Sequence, residues 1–173
     1  MLEAAIFVIF PFCMAFAAVS DMISLTIANR VSVLLVLSFA ALALFIGMPW
    51  PEIGMHFVAG GLVLLATFLI FAIGGMGGGD AKLMASSALW FGLDVGLANY
   101  LMTTALLGGA LTVALLFFRR SGFSPLVANH VLLRHFAEEK AGIPYGVALG
   151  LGGLICFPQT PFMQWAMERL AAG

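Results

Sequence analysis

Two carboxylates stand where an apolar chain has little use for charge. Asp80 ends the run Gly74-Gly75-Met76-Gly77-Gly78-Gly79 and is followed by Ala81 and Lys82, between two long hydrophobic stretches, and Asp21 closes the first such stretch. Holding an ionisable group beside hydrocarbon is costly, so such residues are functional candidates by default. A pair of them can hydrolyse a peptide bond if one, ionised, activates water and the other, protonated, polarises the carbonyl. Taken alone, Asp21 is equally compatible with a residue that marks the membrane interface; its weight comes from Asp80.

The glycines have a plainer reading too, since small residues let membrane helices pack closely. So dense a cluster ending in Asp and Lys exceeds what packing requires. Phosphate binding fits worse, because there is no G-x-x-x-x-G-K-[ST] pattern and no strand precedes the glycines. Lys82 reads as a cytoplasmic anchor rather than a group tuning Asp80, because residues two apart on a helix point in different directions.

The elements that must position these groups follow from composition. With 63% hydrophobic and 9% charged residues over 173 positions, the chain is an integral membrane protein. Charge-free runs cover 4–20, 31–51, 53–79, 83–93, 95–118 and 141–167. A helical span takes about 20 apolar residues, so five runs are ample and the fourth is short. The expectation is an all-α polytopic fold of six transmembrane helices in one domain over 1–173, the fourth opening at Asp80. The first run lacks the basic start and the small-residue cleavage site of a secretory signal and is expected to be retained. From Asp80 to Asp94 the helix spans about 21 Å against roughly 30 Å of hydrocarbon. With Asp94 at the outer interface, Asp80 lies within the cytoplasmic edge of the membrane, where unwound glycines survive only beside a wet cavity.

Arg30, Lys82, Arg119, Arg120, Arg134 and Lys140 fall after the first, third and fifth runs, and only Arg169 falls elsewhere. The positive-inside rule makes that side cytoplasmic, with both termini outward and Asp21 and Asp80 sharing the cytoplasmic face. Glu3, Glu52, Asp94 and Glu168 then lie outside, away from the pair. Glu138 and Glu139 form a solvated stretch with Lys140. Within 119–142, Ser124-Pro125 resembles the start of a helix lying near the headgroups. His130 and His135 in that connection, and His56 on the outer side, have no partners at metal-ligand spacing. Cys13 and Cys156 lie inside apolar runs as packing residues. A net charge of −1 argues against nucleic acid. The segment from Gly142 to Gly150 opens the last span, and its small residues would let that helix approach the aspartates.

Gly77-Gly78-Gly79-Asp80-Ala81-Lys82-Leu83 resembles the GxGD-A-K motif of type IV prepilin peptidases. Asp21 stands in the position of that family's first aspartate, in a stretch to Asn29 similar to D-x-x-x-x-x-I-P-N, with Ala28 where proline is usual. Ile143-Pro144-Tyr145-Gly146 is similar to the family's last-helix signature. The longer members carry a cytoplasmic insertion with paired CxxC motifs and a methyltransferase activity, and nothing of that kind is present, so the chain looks like the short CpaA/TadV-like branch of Flp/Tad pilus systems. The resemblance implies a bacterial inner-membrane aspartic endopeptidase that cuts prepilin and pseudopilin leaders at the cytoplasmic face. It implies Asp21 and Asp80 as the catalytic dyad, with Gly77, Gly78, Gly79, Lys82, Pro144 and Gly146 as supporting or substrate-binding residues.

No metal or organic cofactor is expected, and the partners are the precursors, the lipid bilayer and other pilus-assembly proteins. Three other readings compete. A small proton-coupled transporter would also use membrane-edge aspartates, but there is no internal repeat or second broken helix. A presenilin-like protease shares the GxGD but has tyrosine before its first aspartate, where Ser20 stands here. The third is a non-catalytic pilus-assembly scaffold.

Overall fold

The computed structural model describes residues 2–121 and 142–172. The expected headgroup helix at Ser124-Pro125, together with His130, Arg134, His135, Glu138, Glu139 and Lys140, lies outside the described residues. Among those described, all regular structure is helical: α1 (Leu2–Ser24), α2 (Asn29–Phe45), α3 (Trp50–Ala72), α4 (Gly78–Phe91), α5 (Val95–Arg120), α6 (Tyr145–Cys156) and α7 (Pro161–Ala172), with a 3-10 turn at Phe157–Gln159 between the last two.

Helices α1, α3 and α5 are long and apolar enough to cross a membrane, and α6 with α7 makes a fourth crossing if that bent pair counts as one. Length and composition therefore give three or four spans rather than six, because α2 has 17 residues and α4 has 14. At the usual rise those helices reach about 26 and 21 Å. The shortness of α4 is matched by its position. Every residue from Leu83 to Phe91 is buried, as expected of an apolar helix enclosed by its neighbours. It packs against α2 and α3 on one side and α6 on another, while α6 packs against α1 and α5. The outer faces of α1, α3 and α5 carry exposed large apolar residues such as Phe12, Leu65 and Leu106.

The end of α4 remote from Asp80 is locked by aromatic packing. Trp90 lies 5.1 Å from Phe10 and 4.9 Å from Phe162, ring centre to ring centre, and its Nε1 donates to the Leu35 carbonyl at 3.1 Å. Contacts of this kind add about 0.5–1.5 kcal/mol each beyond burial. His56 bonds through Nδ1 to the Leu89 carbonyl near the last turn of α4, and Asp94 accepts from the Val95 N–H at 2.6 Å to open α5.

The last run does not form the single helix expected over 141–167. It stops at Cys156, turns through Phe157–Gln159 and resumes as α7, with a 45° bend. Pro158 and Pro161 supply no N–H to an α-helical ladder, and Thr160 restarts one by accepting from the Met163 N–H at 3.3 Å. Two prolines three residues apart decide the break.

Candidate active site

Asp21 lies in the last turn of α1, only 5% exposed. Its Oδ2 accepts a hydrogen bond from the Gly146 N–H at 2.7 Å. That contact exists because α6 presents a face of glycines. Gly146, Gly150 and Gly153 recur at helical spacing. A Cβ built on Gly146 would stand 2.8 Å from both Cβ and Oδ2 of Asp21, on Gly150 2.6 Å from the Met14 carbonyl oxygen, and on Gly153 2.5 Å from the Met14 Cε. Side chains are excluded there, so α1 and α6 meet almost backbone to backbone, as small residues permit in membranes. Pro144 is buried at the N-cap of α6 with φ −72°.

Asp80 is the third residue of α4, after the N-cap Gly77. Its carboxyl folds back to take a backbone hydrogen bond from Gly77, the geometry in which an acidic third residue satisfies the N-cap N–H. A Cβ on Gly77 would fall 2.7 Å from Asp80 Oδ2. The rest of the glycine run divides by task. Gly74, at φ +77°, closes α3, with its N–H on the Phe71 carbonyl and the Gly75 N–H on the Ile70 carbonyl, both at 2.9 Å. Gly78 and Gly79 are helical rather than unwound; they pack on Phe71 and Ile27, with built Cβ atoms 3.3 Å away in each case. The open backbone is therefore the stretch 73–77, which lies earlier than Gly77 to Gly79, because capping by Asp80 draws two glycines into the helix.

Asp21 and Asp80 open into one cavity of about 670 Å³, whose wall includes Gly74 to Gly77, Thr112, Arg119 and Tyr145. The two carboxyls are close enough for the charge of Asp21 to act on Asp80, and Tyr145 also lies within electrostatic reach of Asp80. A family model described as the type IV leader peptidase family matches residues 8–122. The chain belongs to that family. Neither the curated proteins nor the solved structures give a significant match.

The match to the leader peptidase family covers both aspartates and ends before Ile143 to Gly146, the segment that supplies the Asp21 hydrogen bond. Membership points to a leader peptidase-type activity on prepilin-type substrates in general. Of the supporting residues expected in this peptidase, Gly77 and Gly146 touch the aspartates, Pro144 starts the helix that bears Gly146, and Gly78 and Gly79 pack behind Asp80. Lys82 lies apart, its Nζ donating to Asn29 Oδ1 at 3.0 Å.

Sequence reasoning passed over Tyr145, Thr112, Arg119 and Leu25 as cavity residues. Tyr145 sits where any side chain on Gly108 would collide with its ring, so its signal was a glycine on a distant helix. Arg119 donates to the Gly142 carbonyl at 3.1 Å, tying α5 to the entry of α6. Leu25 has φ +51° just after α1, a left-handed conformation that costs a non-glycine residue roughly 1–2 kcal/mol.

The alanine at 28 leaves this turn intact. Its φ of −67° and ψ of 131° suit proline, and its N–H has no hydrogen bond among the described residues. Ala28→Pro should stabilise the peptidase by about 0.4–1 kcal/mol through the unfolded chain and leave its activity unchanged. Thermal unfolding in detergent reads the shift, and a lowered melting temperature would refute the fit.

Proposed function

We propose that this leader peptidase is an aspartic endopeptidase that removes the leaders of type IV prepilins of the Flp/Tad class at the cytoplasmic membrane face, with Asp21 and Asp80 as its dyad. The observation that carries this reading is the shared cavity, where two carboxyls 59 positions apart in sequence, on α1 and α4, face one space beside non-helical backbone. Two like charges so placed do not both ionise readily, and the pair holds one proton between them. The ionised member takes a proton from water as its oxygen attacks the scissile carbonyl, while the protonated member donates to the carbonyl oxygen. Collapse of the tetrahedral intermediate breaks the C–N bond: the leaving nitrogen takes the proton from the first carboxyl, and one hydroxyl of the intermediate returns its proton to the second, which restores the starting pair. The segment 73–77 offers the Met76 N–H and carbonyls to an extended leader, the N–H groups of Ile73, Gly74, Gly75 and Gly77 being bonded already. No metal or organic cofactor takes part in this scheme.

The orientation rests on charge. The end of α1, the start of α2, the start of α4, the end of α5 and the start of α6 meet at one end of the bundle, through Asp21–Gly146, Lys82–Asn29 and Arg119–Gly142 contacts. Arg30, Lys82, Arg119 and Arg120 belong to that end, and Glu3, Glu52, Asp94 and Glu168 to the other, which supports a cytoplasmic active site and outward termini. In this arrangement α1 to α5 and the bent α6–α7 pair cross the membrane as six segments, with α4 sheltered by its neighbours. The only two cysteines, Cys13 and Cys156, are both buried, which supports a peptidase without the paired CxxC insertion of the longer branch.

Purified protein in detergent, given a Flp-type precursor, should convert it to a shorter form cut just after a glycine between polar leader and apolar helix. The rate should be indifferent to EDTA and bell-shaped in pH, falling at high pH as the shared proton is lost. An uncut precursor that still matures in cells lacking this protein would leave the chain a scaffold, and zinc-restored activity after EDTA would make it a metallopeptidase. Single cysteines replacing the exposed residues Arg30 and Glu52 should react with cytoplasmic and external reagents respectively; the reverse labelling would remove the cytoplasmic site.

A further inference from the structure

A second cavity, of about 580 Å³, opens laterally between α2, α3 and α4, on the other side of α4 from the aspartates. Its two ends differ in chemistry. At the end near the aspartates stand Asn29 and Ser32 on α2 and Lys82 and Ser86 on α4, pairs three and four residues apart and so on one helix face each. Beyond them the lining is apolar, as far as Leu89.

The polar end is a set of donors without an anion. The Lys82 ammonium donates to Asn29 Oδ1, and no carboxylate among the described residues pairs with it. Because Asn29 spends its oxygen on Lys82, its amide nitrogen remains to donate. Ser32 is 9% exposed and its hydroxyl has no hydrogen-bond partner among the described residues, a condition that buried polar groups rarely tolerate. The apolar end is shaped by two adjacent glycines with opposite roles. A Cβ on Gly60 would lie 2.9 Å from Leu89 Cδ2, so Gly60 draws α3 onto α4. A Cβ on Gly61 would meet nothing within 4 Å, so its missing side chain leaves the groove open.

We propose that this groove holds one anionic phospholipid, its phosphate at Lys82, Asn29 and Ser32 and an acyl chain lying along α4 toward Leu89. The lining favours a lipid: a polar end followed by an apolar wall toward Leu89 matches a headgroup followed by a chain. Charge agrees: a lone lysine at a membrane edge attracts anionic headgroups, and Arg30 adds a second positive charge at the same end of α2. The proposal is independent of the proteolytic reading.

Native mass spectrometry of the purified protein, titrated separately with phosphatidylglycerol and phosphatidylcholine, tests it. The wild-type protein should retain phosphatidylglycerol about fivefold better, the advantage expected of one lysine at a membrane surface. Lys82→Gln should bring the ratio near one and Lys82→Arg should restore it. Gly61→Leu, which fills the groove without meeting a neighbour at its Cβ, should lower retention of both lipids. Equal retention by the wild-type protein, or a ratio unchanged in Lys82→Gln, would overturn the proposal. So would a photo-crosslinker at Val36 that captures a co-expressed precursor helix in place of lipid. The wild-type comparison decides the matter even if a variant fails to fold.

Discussion

Asp21→Asn and Asp80→Asn should each lower the rate of precursor cleavage by about 10²–10⁴-fold or more, the range that a positioned acid or base supplies. Asparagine keeps the shape and can still accept a backbone hydrogen bond, from Gly146 in the first case and Gly77 in the second, so both variants should insert and accumulate normally. What each loses is the ability to carry a proton. Asp94→Asn is the control, since Asp94 caps α5 at the far end of the bundle and asparagine caps nearly as well. Single-turnover conversion of the precursor, alongside a measure of inserted protein, separates chemistry from folding. Either dyad variant cleaving at a near-normal rate while correctly inserted would end the aspartic assignment.

Gly146→Ala should be nearly as damaging although it adds one methyl group. Its Cβ would arrive 2.8 Å from Asp21 Cβ, Asp21 Oδ2 and Ile27 Cδ1 together. The tip of Ile27 can swing aside, but Asp21 can yield only by shifting α1 against α6 or by leaving the Gly146 N–H. Overpacking of this sort costs about 1–3 kcal/mol, and a displacement near 1 Å at a catalytic group costs on the order of 10²-fold in rate. Gly109→Ala, on an exposed face of α5 with nothing within 4 Å of the new Cβ, should be neutral or slightly stabilising. Comparing kcat/KM and melting temperature for the two variants reads the difference, and full activity in Gly146→Ala would mean that the α1–α6 contact does not position the dyad.

The parts of this molecule that could be read from its residues were those where one-dimensional chemistry is out of place. An aspartate in an apolar run is conspicuous without any fold, and so is the short apolar run between Asp80 and Asp94, which the helix Gly78–Phe91 largely fills. The approach of α6 to the aspartates was legible in its small residues, although which glycine touched what was not. Gly146 and Gly152 look alike in sequence, yet only Gly146 bears on a carboxylate while Gly152 meets Thr104, because contact depends on which face of α6 meets α1. Tyr145 and Thr112 were invisible as cavity residues for the same reason. Gly78 and Gly79 were misplaced because a dense glycine run suggests unwound chain, whereas the side chain of Asp80 completes a cap that winds them up. The bend at Phe157–Gln159 was in plain view as Pro158 and Pro161, and it was missed because the surrounding run is uniformly apolar and hydropathy does not register a missing N–H.

The hydrogen bond from Gly146 to Asp21 joins residues 125 positions apart. During synthesis the first helix enters the bilayer long before its partner has been made, and Asp80 follows while α6 is still unbuilt. A nascent chain therefore carries both acids for most of its insertion without the contact that holds one of them in place. Translation runs from α1 onward and completes the site last at Gly146, so a product released early, even one containing the whole of 8–122, lacks the helix that packs against α1 and α5 and should be unable to cut. Activity would then report on complete insertion of the chain, protecting unprocessed pilins from half-made copies of their own peptidase.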